Sequence, residues 1–196
     1  MTIVFDEAEL VRELEELALQ SRVAFAAACA ERLLPAYAAF SALANRGDAP
    51  ALAEMLARVW QDLLGQKLEP DELQADVDRV MRLIPGEDEE PWLDNQPSAD
   101  DAASAVAYTL RALQRGDSQE AAWAARRAYE ALDYYVTHQL GIDDEARVAG
   151  HPAVQAELLR QRRDLDELHA ASEEPADRIL RVRDRARNEA GGVFRS

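Results

Sequence analysis

Glu31 and Arg32 are the residues whose type and setting first suggest chemistry. They stand together in the run 23–40, VAFAAACAERLLPAYAAF, and are its only charges. Buried charges are costly unless paired, so each needs a partner once the chain packs. One arrangement has them lining a polar pocket with Asp100 or Asp101 and a tyrosine such as Tyr108 or Tyr134. The other has them closing salt bridges between helices, or pointing into solvent.

Other chemistries have weaker signatures. A helical bundle holds a di-iron site through Glu residues and Glu-x-x-His motifs. The residues three before His138, His151 and His169 are Tyr135, Val148 and Asp166, so that motif does not occur and no metal or other cofactor is expected. His138, near a helix C-terminus, suits a dipole role better. Cys29 is flanked by alanines, with nothing evident to activate a thiolate, and reads as a small buried hydrophobe. The chain contains no G-x-S-x-G, P-loop or G-x-G-x-x-G sequence. The acidic stretch Glu87, Asp88, Glu89, Glu90 runs into Pro91, Trp92 and Leu93. Glu89, Glu90, Trp92 and Leu93 would make a docking strip for a partner, with charge to steer and an aromatic anchor. A solvated loop with a tucked tryptophan is the plainer reading.

These groups need elements to position them. At 196 residues the chain suits one domain with a real core. Apolar spacing is helical nearly throughout, which predicts an all-α single-domain bundle of seven or eight helices over 1–196. The 23–40 run is apolar almost all round and belongs at its centre. Ser21 is its expected N-cap, and Pro35 predicts a kink near Leu33 or a junction of two helices there.

A first helix is expected over 6–19, with Leu10, Leu14 and Leu17 inward. Asp48 and Pro50 start another, whose Leu52, Met55, Leu56, Val59, Trp60, Leu63 and Leu64 repeat as one buried face. A shorter helix from Pro70 presents Leu73, Val77, Val80, Met81 and Ile84. After the proline-broken stretch 85–97, Ser98 and Asp101 make a capping-box-like start to a helix running to Arg115. Gly116-Asp117-Ser118 turns it back as an antiparallel hairpin into a helix over 119–139. The last two helices, about 151–171 and 172–190, carry narrow apolar stripes and dense charge. They read as a peripheral pair, and Arg160/Asp164, Arg162/Asp166 and Arg163/Glu167 as local i,i+4 pairs.

Charge bounds the partners. The net charge is −16, and residues 1–146 hold 12 Arg/Lys against 29 Asp/Glu. Such a body repels nucleic acid and anionic lipid and favours a basic protein surface, or serves solubility alone. The opening MTIVFDEAEL lacks the basic region of a signal peptide, and no apolar run suits a membrane span, so cytoplasmic is the expected location. Cys29 is the sole cysteine, which leaves no internal disulfide.

The spacing of Phe25, Cys29, Glu31, Arg32, Pro35, Tyr37 and Phe40 resembles that of the YjaG-like bacterial family, domain of unknown function 416. MLARVWQDLL around Trp60, PSADDAASAVAYTL from Pro97 and HPAVQAE from His151 extend the resemblance along the chain. It implies an all-helical, single-domain cytoplasmic protein of uncharacterised function, with no catalytic residues to carry over. The expected role is a non-enzymatic interaction or regulatory module. The alternative is a small-molecule-binding protein or enzyme using the carboxylate, arginine and tyrosine pocket near the central helix. A third reading is acidic mimicry of nucleic acid toward a basic partner. Self-association is expected, if anywhere, through the C-terminal helices as a homodimer.

Overall fold

A computed structural model describes residues 2–85, 96–170, 174–190 and 192. Among them the architecture is all-α, with nine α-helices and no strand: α1 (Glu7–Glu15), α2 (Leu19–Ala44), α3 (Ala49–Leu63), α4 (Pro70–Met81), α5 (Gln96–Arg115), α6 (Ser118–Tyr134), α7 (Glu145–Ala149), α8 (Pro152–His169) and α9 (Pro175–Ala190). Eight match the helices expected from the sequence. The additional one is α7, a five-residue helix capped by Asp144, whose side chain accepts from the Arg147 amide. A single π-helical turn, Tyr135–Gln139, follows α6.

The 26-residue α2 is the centre of the bundle, and α3, α5, α6, α8 and α9 all pack on it. Every residue from Val23 to Ala30 is fully buried, so this helix has no solvent face over two turns. That explains its composition. By length and hydropathy alone α2 would also cross a bilayer, but 72% of its apolar window is covered by the rest of the chain. The helix passes unbroken through Pro35, so the expected junction of two helices does not occur. It also begins at Leu19, and Ser21 lies inside its first turn, buried, rather than capping it. The first helix is correspondingly shorter than predicted.

Small residues let the centre close up. Ala99, Ala102, Ala103 and Ala105 on α5, with Ala121, Ala124, Ala125 and Ala128 on α6, are fully buried beside the alanines of α2. Backbones approach closely where side chains are short. The amphipathic α3 is as its stripe predicts, started by Asp48, whose carboxylate accepts from Ala51 N at 3.0 Å. Just before it, Gly47 holds φ +74° under the Tyr37 ring, where a Cβ would fall 2.6 Å from the phenol oxygen.

Three expectations are corrected. Met81 is 49% exposed and not a core residue, and Ile84 lies beyond the end of α4, where it still packs half-buried against the main core. α5 begins at Gln96, so Ser98 is a buried helical residue and not its cap. The C-terminal pair is not peripheral. Ile179, Val182 and Ala186 of α9, with Leu165 and Leu168 of α8, belong to the main core. The apolar stripes from which a homodimer was expected are therefore covered inside the chain. A second, smaller core of Leu132, Val136, Val148, Val154 and Leu158 closes the far end of α6 against α7 and α8. Ser172, the expected cap of the last helix, lies outside the described residues.

Candidate functional site

Arg32 points from α2 toward α8, into a buried polar cluster. Its Nη1 donates to Asp164 Oδ2 at 2.8 Å, and its Nη2 and Nε donate to Glu157 Oε1 at 2.9 and 3.2 Å. The three side chains are 0%, 1% and 1% exposed. Gln161, between the two acids on α8, donates to Glu157 Oε1 and to the Ala125 carbonyl of α6. From α9, Arg185 donates to Asp164 Oδ1 at 2.8 Å. The cluster thus ties four helices together: Arg32 joins α2 to α8, Gln161 adds α6 and Arg185 adds α9.

Electrostatics follow from that enclosure. Burial by itself would lower the pKa of Arg32, but the adjacent Glu157 and Asp164 carboxylates reverse this and hold it above its ordinary value. Cys29 lies in the same pocket of the core, its Sγ accepting from Arg32 Nη2 at 3.5 Å. Burial pushes its thiol well up, so it stays protonated and inert despite the arginine.

The remaining members of the expected polar cluster go elsewhere. Glu31 accepts from Trp60 Nε1 of α3 at 2.8 Å and from Arg187 Nε of α9 at 3.3 Å. Asp101 accepts from Arg127 Nη1 of α6 at 3.3 Å. Its carboxyl is pushed up to about 7, chiefly by burial, with Arg127 opposing and Asp100 and Glu130 reinforcing the rise. Asp100 accepts from the Ser104 hydroxyl at 2.9 Å. Tyr134 stacks on His138 across the π-helical turn, ring centroids 4.1 Å apart. Tyr108 packs against Trp123 and carries the Arg111 guanidinium over its ring. The grouping of Glu31 and Arg32 with Asp100, Asp101 and Tyr134 is therefore replaced by separate pairings: those of Glu31, Arg32 and Asp101 join different helices, whereas those of Asp100 and Tyr134 are local. The docking residues Glu89, Glu90, Trp92 and Leu93 lie outside the described residues.

The partners of Arg32 were missed by sequence reasoning. Glu157, Gln161 and Asp164 share the spacing of Val154, Leu158, Leu165 and Leu168, so they sit on the apolar stripe of α8. Polar residues inside an apolar stripe are the signal that could have found them. The local ion pairs expected on α8 give way to contacts across helices: Arg162 reaches Glu13 of α1, Arg163 reaches Glu189, and Glu167 takes Arg181. His151 also has an unexpected job, its Nδ1 accepting from Ala153 N to cap α8. Among the described residues no group of three His, Cys, Asp or Glu side chains is placed to hold a metal ion.

A cleft of about 70 Å³ opens on a different face, between residues 3–6, α1 and α8. Its walls include Phe5, Leu10, Leu158 and Arg162, and none of the expected site residues. Small-molecule pockets are commonly about 300–1,000 Å³, so the cleft is too small to enclose a typical metabolite.

These features define an all-α bundle closed over the fully buried Arg32. The model of a family described as a protein of unknown function, DUF416, matches residues 9–192, and the chain belongs to that family. A crystal structure of a DUF416 family protein from Shewanella baltica OS155 is similar, with 23% identity, a TM-score of 0.79, and coverage of 90% of this chain and 92% of that one. At that identity the likeness shows the shared fold. Comparison with curated proteins gives no match.

Proposed function

We propose that this protein is a non-enzymatic interaction module of the bacterial cytoplasm, whose acidic body receives a basic protein surface. The observation that carries the reading is the closure of Arg32. Its guanidinium is satisfied by Glu157 and Asp164 and is fully buried, so the strongest polar candidate holds helices together and has no route to a substrate. What remains available to a partner is the surface. Glu15, Glu16, Glu69, Asp71, Glu72, Asp78, Asp143, Asp144 and Glu145 all face solvent, which favours electrostatic steering of a cationic partner.

The test compares capture of purified basic proteins by the immobilised chain at low and high salt. Retention at low salt that falls as screening rises is the expected result. Turnover of a metabolite by the purified protein, lost on Asp101→Asn or Glu31→Gln, would sink the reading.

A further inference from the structure

Residues 2–6 do not belong to a helix, yet they are fixed to the body by contacts of an unusual kind. Gln155 of α8 reads the backbone of Ile3 on both sides: its Oε1 accepts from Ile3 N at 2.9 Å, and its Nε2 donates to Ile3 O at 2.8 Å. The same Nε2 also donates to the Ala149 carbonyl at the end of α7, at 2.7 Å. That third bond holds the amide in the correct sense for the segment whether or not the segment is present. Burial alternates along the strap, with Ile3 and Phe5 half-buried and Val4 74% exposed. Such alternation is the period of two expected of extended chain. Ile3 packs on the small core of α6, α7 and α8, and Phe5 stacks on Tyr129 at 5.2 Å with the rings 9° apart.

Main-chain hydrogen bonds for affinity and alternate side-chain pockets for specificity are how grooves recognise extended peptides. Here a side-chain amide supplies the main-chain bonds in place of a sheet edge. The adjoining cleft leaves the strap incompletely packed on its α1 side. Segments held by so few buried contacts open locally far more easily than the core.

We propose that the groove formed by Gln155, Tyr129 and the small core is a peptide-binding site, occupied in this chain by its own residues 2–6. When that strap lifts, the site takes an extended segment of a partner protein with an apolar residue, any residue, then an aromatic. This deepens the interaction reading by naming a site and a ligand pattern, and it rests on that reading only in taking the occupant to be protein.

The probe is a labelled synthetic peptide copying residues 2–7. The full chain is compared with the double substitution Ile3→Ser and Phe5→Ala, which frees the groove without shortening the chain. The freed variant is expected to bind the peptide at least about tenfold tighter than the unaltered chain, whose strap competes at millimolar effective concentration. Adding Gln155→Ala should weaken that binding by about tenfold. A peptide with serine at both pocket positions should not bind. Failure of the freed variant to bind while it keeps its helical circular dichroism and cooperative melting overturns the proposal, as does binding that survives Gln155→Ala. Hydrogen exchange gives an independent check on the unaltered protein. The Ile3 amide should exchange through local opening, well ahead of the α2 amides, and protection equal to theirs overturns the proposal. None of these outcomes bears on salt-dependent capture of a basic partner, so the two readings fail separately.

Discussion

Arg32 and Arg127 each meet a carboxylate that solvent hardly reaches, but the two settings differ in how completely charge is answered. Around Arg32, two carboxylates share a guanidinium at 2.8 and 2.9 Å, and Arg185 adds a second cation to Asp164. Around Arg127, Asp101 has one bond at 3.3 Å, and Glu130 draws on the same Nη1 at 3.1 Å. The carboxyl of Asp101 accordingly rises to about 7. Burial alone does not decide protonation. At Asp101 burial is the larger influence, and the single long contact to Arg127 only partly offsets it.

Removing Arg32 should produce the largest effect. Arg32→Met leaves Glu157 and Asp164 enclosed without their shared cation, and breaking a buried pair in this way costs about 3–5 kcal/mol. Urea denaturation measures the loss. Adding Glu157→Gln and Asp164→Asn should recover most of it, because the penalty arises from unanswered charge. A loss below about 1 kcal/mol for the single substitution would erase the contrast.

The second effect depends on pH. Asp101 has a folded pKa raised from 3.8 to about 7, so the folded state holds the additional proton between those values. Its contribution to stability is therefore greatest below 3.8, declines as pH rises through that window, and levels off above about 7. Asp101→Asn removes the titration while Arg127 keeps Glu130. The variant should be more stable than the parent by about 1–3 kcal/mol above pH 7, with the gap closing toward low pH. Thermal melts across this range show it, and a gap that is constant with pH counts against the assignment.

The smallest effect is expected where solvent does the work of a partner. Arg162 meets Glu13 at 2.9 Å with 48% and 26% of the two side chains exposed. Arg162→Ala should change stability by no more than about 0.5 kcal/mol, and added salt should shrink even that. A loss comparable to that of Arg32→Met would mean burial is not what separates these pairs.

Helices were legible in the sequence because their causes are local. The stripe on α3, the Asp48 cap and the turn after Arg115 all depend on residues a few positions apart. The solvent-free centre of α2 was legible too, since only burial on every side tolerates such a composition. Pairing of charges was not. The bonds from Arg32 span 125 and 132 residues, and nothing near Arg32 specifies which distant helix will face it. Charges on α8 looked like neighbours along one helix because local spacing was the only geometry available. The role of α9 was hidden for a related reason: its many arginines suggest a surface, while Ile179, Val182 and Ala186 on one side suffice to seat it on α2.

The alanine-lined contact of α2, α5 and α6 carries a consequence for how this protein tolerates change. Cores built from leucine and phenylalanine are vulnerable to shrinkage, since truncation leaves a void. Here the interior is already near its minimum size, and the damaging direction is growth. An added methylene or two at Ala27, Ala103 or Ala125 must force backbones apart. The same economy acts on the unfolded side, for alanine has almost no rotamer freedom to surrender when it is ordered. The centre of the bundle thus gains little from any one side chain, but it also gives up little side-chain disorder to form.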